Sequence, residues 1–89
     1  MSAEKETLLE FPCRFPIKAM GLAAADFDAL VVGIVRRHAP DLKESAVQSR
    51  SSRGGKYLSV TITIEATSKD QLDAIYQALS DYERVLMSL

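Results

Sequence analysis

The 89-residue sequence has one cysteine, one histidine and no tryptophan. A lone thiol, Cys13, excludes an internal disulfide, and with His38 as the sole imidazole no ordinary zinc constellation can be assembled. No metal or other cofactor is expected. No apolar run is long enough to span a bilayer as a helix. The opening residues, MSAEKETLLE, carry acids and lack the apolar segment of a secretory signal, so a cytoplasmic location is expected. Charge of one sign is also missing. Eleven Lys and Arg against 12 Asp and Glu leave a net charge of -1, which gives no general attraction to nucleic acid or anionic lipid. Such a partner would need a local patch.

What is present is the balance of an ordinary globular protein, 47% hydrophobic and 26% charged. The length suits one domain, and a domain of this size buries only about 60% of the surface its unfolded chain exposes. Residues 1–7 are polar and read as a disordered tail, with a single folded domain over 8–89.

The strongest local signal is GKYLSVTITI, Gly55 to Ile64. Leu58, Val60, Ile62 and Ile64 alternate with Tyr57, Ser59, Thr61 and Thr63, so a strand here puts its aliphatic groups on one face and its hydroxyls on the other. The first face must meet a core, and the second is left for water, a nucleic acid, a small ligand or a second copy of the chain. Phe27, Leu30, Val31, Ile34, Val35 and His38 form the stripe of an amphipathic helix. Asp26 and Asp28 at its start and Arg36 and Arg37 at its end suit the helix dipole, and Pro40 forbids continuation. Ser68 followed by Gln71 is a capping-box pattern that opens a second helix through Leu72, Ile75, Tyr76 and Leu79.

Around these lie three further strands. Phe15 to Met20 reads as the first, ended by Gly21, with Pro12 and Pro16 tolerable only at or before its start. Glu44 to Arg53 is polar and reads as an edge strand leading into the glycine-rich turn SSRGGK. Glu83 to Leu89, rich in Val, Leu and Met, reads as the last. Strand, helix, strand, strand, helix, strand is the ferredoxin-like α+β order. Both helices then cover one face of a four-stranded antiparallel sheet, the first and third strands are central, and the other face is open. That leaves the apolar Val85, Leu86, Met87 and Leu89 along an unpaired edge.

Candidate chemistry is sparse. An RNA-recognition motif aligned on Arg53 and Gly54 would want aromatics where the chain has Gly55, Tyr57 and Val60, and finds one. Arg50, Arg53 and Lys56 make one basic patch, with no acid between Ser45 and Ile64, and could hold an anion with help from the glycine N–H groups. GGK lacks the spacing of a Walker loop, so a solvated hairpin tip is the plainer account. His38 near a helix C-terminus, Cys13 beside Arg14, and Asp70 with Asp73 one helical turn apart each read more simply as structural or solvated residues than as parts of an active site.

LLEFPCRFPIKAMG at Leu8 to Gly21, RHAPD at Arg37 to Asp41, and SSRGGKYLSVTITIEATSKDQL at Ser51 to Leu72 resemble the corresponding segments of the YbeD family, small bacterial proteins of unknown activity. The resemblance runs from about Leu8 to Leu89. It implies a βαββαβ domain similar to the ACT regulatory domains of amino-acid enzymes, in a family loosely linked to lipoate metabolism. ACT domains bind amino acids near the turn from first strand to first helix, usually across a dimer interface. By that resemblance the ligand residues here would be Lys18, Met20 and Gly21.

The function expected is therefore that of a small non-catalytic regulatory or interaction module. It would bind an unknown protein or metabolite, with a weak homodimer as a further expectation and nucleic acid not expected. The alternative is an anion or nucleic-acid binder on Arg50, Arg53 and Lys56. The open face of Tyr57, Ser59, Thr61 and Thr63 discriminates between them, because base stacking wants more rings than this face supplies.

Overall fold

The structure, a computed structural model, describes residues 9–89; the expected tail, residues 1–7, lies outside them. Strand β1 (Cys13–Leu22) leads through helix α1 (Phe27–Arg36) to β2 (Val47–Ser51), and a hairpin joins β2 to β3 (Tyr57–Ala66). Helix α2 (Lys69–Asp81) then returns the chain to β4 (Met87–Ser88). The sheet is antiparallel in the order β2-β3-β1-β4, the ferredoxin-like α+β arrangement read from the sequence.

The two-faced reading of β3 holds at Val60, Ile62 and Ile64, with Leu58 half-buried against the margin of the core. Val60 and Ile62 are 0% exposed and Ile64 is 4% exposed, whereas Ser59, Thr61 and Thr63 between them remain half-buried. The register sets Ile17 beside Ile62 and Ala19 beside Val60, so β1 adds its own buried side chains to the same face. Phe27, Val31 and Val35 of α1 and Leu72, Ile75 and Leu79 of α2 complete the core, placing both helices on that side. The 3.6-residue stripe of each helix and the 2-residue alternation of each central strand thus supply one continuous apolar layer.

Three boundaries differ from the sequence expectation. The first is β1, which extends from Cys13 through Pro16 and Gly21 to Leu22 instead of stopping at Met20. Proline is harmless inside it for a geometric reason. The N–H and C=O of Lys18 bond Leu89, so the backbone groups of Lys18, and of Pro16 two residues earlier, face the β4 side of the sheet. Among the described residues nothing pairs with Pro16 on that side, so its missing N–H leaves no ladder bond among them unmade. Gly21 does not end the strand; it makes room. A Cβ there would fall 2.6 and 2.7 Å from ring carbons of Phe27 and against the backbone carbonyl of Arg84.

The second is β2, which is confined to Val47–Ser51 between 3-10 turns at Glu44–Ala46 and Arg53–Gly55. In the second turn Gly54 and Gly55 have φ of 85° and 76°, the left-handed region that favours glycine. The Tyr57 N–H donates to Ser52 Oγ at 2.9 Å to close the hairpin. The third is β4, which has two residues where seven were expected from Glu83 to Leu89. Residues 82–85 form a turn instead, closed by Val85 N–H donating to the Tyr82 carbonyl at 2.9 Å, and this turn drops Val85 into the core. Strand propensity in Val85 is overridden by burial.

Candidate functional site

The sheet face away from the helices collects residues that the chain spreads over four strands. The register aligns Lys18 with Thr61 and Thr61 with Gln48 in one row across β1, β3 and β2; the next row is Met20, Ser59 and Arg50, with Met87 of β4 beside Met20. Further along lie Pro16 opposite Thr63 and Arg14 opposite Glu65, and at the other end Leu22 opposite Tyr57. None of these residues is buried.

Two groups of candidates meet here that the sequence kept apart. Lys18 and Arg50 flank a shallow depression of about 460 Å³ whose remaining lining is Gln48, Ser49, Ser59 and Thr61. From strand spacing their Cα atoms lie about 12 Å apart, diagonally across β3, so both long side chains can reach one small group over the hydroxyl floor. No carboxylate lines the depression, and neither cation forms an ion pair among the described residues. The acid on this face, Glu65, stands four residues from Thr61 along β3, about 13 Å away by strand rise.

The other candidates are placed elsewhere. Arg53 and Lys56 are exposed on the hairpin beyond the face, and the Lys56 ammonium sits 5.5 Å from the centroid of the Tyr57 ring, a cation-π contact. The Gly55 N–H donates to the Ser52 carbonyl at 2.9 Å and so closes the turn itself. Of the ACT-type candidates, Lys18 and Met20 face the open side, while Gly21 points at Phe27 in the helix layer. Val60, one of the three positions an RNA-recognition strand needs on its surface, is in the core.

His38 is half-buried at the end of α1, and its carbonyl accepts a 2.7 Å hydrogen bond from Gln71 Nε2. It lines a cleft of about 710 Å³ with Arg14, Lys43, Glu65 and Gln71, but its ring has no hydrogen-bond partner among the described residues. Cys13 packs on the core edge opposite Ala66. Asp73 pairs with Lys69 at 2.8 Å on the wet face of α2, and Asp70 is exposed beside it. Among the described residues no group of three or more His, Cys, Asp and Glu side chains could hold a metal ion, and no helix is long and apolar enough to cross a membrane.

Sequence reasoning missed Gln48 as part of the face, and missed the company of Lys18 and Arg50. The phase of each strand was available, since Lys18 alternates with Ile17 and Ala19. The cross-strand register that brings β1 and β2 to the same place was not.

Fold and face together define a small ferredoxin-like α+β domain with one uncovered sheet surface. The chain belongs to the family described as protein of unknown function (DUF493), which matches residues 6–89, and its relatives carry the UPF0250 name of the YbeD proteins. It is 51% identical to a UPF0250 protein of Nitrosomonas europaea over 96% of this chain and 98% of that one. It is 48% identical to a UPF0250 protein of Chromobacterium violaceum over the full length of both. The solution structure of protein HP0495 from H. pylori is similar in fold, with a TM-score of 0.72 at 15% identity, covering 91% of this chain and 85% of that one.

Proposed function

We propose that this protein is a non-catalytic binding module that engages its partner through the open face of its sheet. The observation that carries the reading is the contrast within β3: Val60 and Ile62 are 0% exposed, while Ser59, Thr61 and Thr63 alternate with them on a face where no described residue is buried. A sheet surface of small hydroxyls with cations on either side of its centre is a recognition surface. It offers donors in a fixed array and no nucleophile with an activating base. The link to lipoate metabolism implied by family resemblance makes the proteins and small molecules of lipoate attachment the first partners to try.

The test is capture of proteins and small molecules from the soluble extract of the source cell on immobilised protein, identified by mass spectrometry. A partner retained by wild type and by Gln77→Arg, on the exposed surface of α2, should be lost by Thr61→Arg at the centre of the face. Equal retention by both variants overturns the reading. The second reading, an anion or nucleic-acid binder on Arg50, Arg53 and Lys56, draws support from one observation, the position of Arg50 facing Lys18 across Ser59 and Thr61.

A further inference from the structure

We propose that the depression between Lys18 and Arg50 is a binding site for a compact oxyanion, a phosphate or carboxylate group on a small molecule. The inference rests on the reading of the open face as the binding surface and names the chemistry that surface selects.

The charge arrangement is the first argument. Two cations from strands that are not neighbours reach over the same ground, and the lining between them is Gln48, Ser49, Ser59 and Thr61, with no carboxylate. Two other cations have carboxylate partners, Arg84 with Asp26 and Lys69 with Asp73, each at 2.8 Å. Lys18 and Arg50 have no such partner among the described residues. Two like charges directed over one small depression repel, and an anion between them turns that repulsion into two charge-assisted hydrogen bonds. The guanidinium of Arg50 can present two parallel donors to one oxyanion, and the ammonium of Lys18 can adjust as a point charge on the opposite side.

The floor is the second argument. Ser59 and Thr61 stand on a central strand whose backbone is fixed by β1 on one side and β2 on the other. Their hydroxyls and the Gln48 amide are donors on a rigid support, which fits a ligand with several acceptor oxygens. The depression, about 460 Å³ and open above, has room for an oxyanion together with the small molecule that carries it. Stacking platforms are lacking: Tyr57 lies one row beyond Ser59, its ring beneath the Lys56 ammonium. A nucleobase therefore finds no ring over the site, whereas an oxyanion needs none.

The experiment is a titration of the ¹⁵N-labelled full chain with sodium phosphate, and separately with sodium acetate, each at ionic strength held constant with sodium chloride. Saturable amide shifts centred on residues 18, 48, 50, 59 and 61 are expected. Comparing the two titrations shows which oxyanion is preferred. Lys18→Gln with Arg50→Gln should weaken binding by about tenfold or more, the loss of one or two charge-assisted bonds. Arg53→Gln with Lys56→Gln should leave it within about twofold, because those side chains are outside the depression. All four positions are exposed, so the spectra of the variants away from the site report an intact fold. Absence of saturable shifts with both anions overturns the inference, as does an equal loss from the Arg53 and Lys56 pair. If capture depends on Thr61 while neither anion binds, this inference falls and the proposed binding module stands. If an anion saturates this site while capture is indifferent to Thr61→Arg, the proposed partner surface falls and the oxyanion site stands.

Discussion

Arg84 holds Asp26 with both terminal nitrogens, Nη1 to Oδ2 at 3.1 Å and Nη2 to Oδ1 at 2.8 Å, across 58 positions of sequence. The pair ties the residue that opens α1 to the turn that precedes β4, beside the place where Gly21 admits the Arg84 carbonyl. Asp26 is a helix N-cap whose side chain makes no capping bond within α1; the guanidinium takes it instead.

The hydrogen bonds from Arg84 hold the Asp26 carboxyl below its ordinary value of 3.8. A carboxyl whose folded pKa is depressed adds stability above the unfolded value and loses it as pH falls through the folded one. Wild type and Asp26→Asn should therefore differ in urea midpoint at neutral pH and converge as the pH is taken down past 3.8. A difference that persists unchanged to the acid limit would show that Asp26 acts by some means other than its charge.

Two glycines should respond to alanine with opposite signs. At Gly21 the new methyl meets a backbone carbonyl and the Phe27 ring, neither of which can swing away, so Gly21→Ala should destabilise by about 1–3 kcal/mol. At Gly33, inside α1, nothing lies within 4 Å of a built Cβ. Gly33→Ala should raise stability by about 1 kcal/mol through helix propensity. Chemical denaturation of the two variants side by side checks both.

Neighbouring positions of β3 should differ as sharply. Ile62 is 0% exposed, and Ile62→Ala should remove about 2–5 kcal/mol. Thr61→Ala, on the open face, should change stability by no more than about 0.5 kcal/mol. Comparable losses at the two sites in urea titrations would be incompatible with a strand of two faces.

Gln71 works in three directions at once. Its N–H donates to Ser68 Oγ at 3.0 Å, its Oε1 accepts from the Thr67 N–H at 2.7 Å, and its Nε2 donates to the His38 carbonyl at 2.7 Å. The capping box thus reaches back to Thr67 and also holds the end of α1. Gln71→Ala should cost about 1–2 kcal/mol. Gln71→Glu keeps the acceptor and places an anion at the helix start, but has no donor for His38, and should recover only part of that loss. Hydrogen exchange at the Thr67 amide should be slow in the Glu variant and fast in the Ala variant.

Self-association through β4 is expected to be weak. Leu86, Met87 and Leu89 are 59%, 52% and 66% exposed, and Leu22 at the end of β1 is 56% exposed. Two copies meeting about a two-fold axis would cover this apolar edge, although a two-residue strand offers few ladder bonds. Sedimentation equilibrium should detect a dimer that Leu86→Lys returns to monomer. Wild type that stays monomeric at high micromolar concentration removes the expectation.

The faces of β3, the buried stripe of α1 and the cap at Ser68 were legible in the sequence because each is a local pattern with a period or a fixed spacing. The limits of β1 were not, since Gly21 is the mark of a close approach between distant segments and reads, locally, as a strand end. Val85 misled for a similar reason: its strand propensity is real, but the turn at Tyr82 spends the residue on the core. The juxtaposition of Lys18 and Arg50 depends on register, and the pairing of Arg84 with Asp26 on chain return. No window of neighbouring residues contains that information.

Among the described residues the outer side of β1 makes its backbone bonds to the last strand at Lys18 and Met20, and an edge without such bonds is the kind of margin onto which a second chain can template itself. Pro16 sits in that margin with no hydrogen to offer. An incoming strand would find one rung absent there, which weakens edge-to-edge pairing. The proline inside the strand thus withholds a donor on the side of the sheet that the described residues leave without a partner at that position.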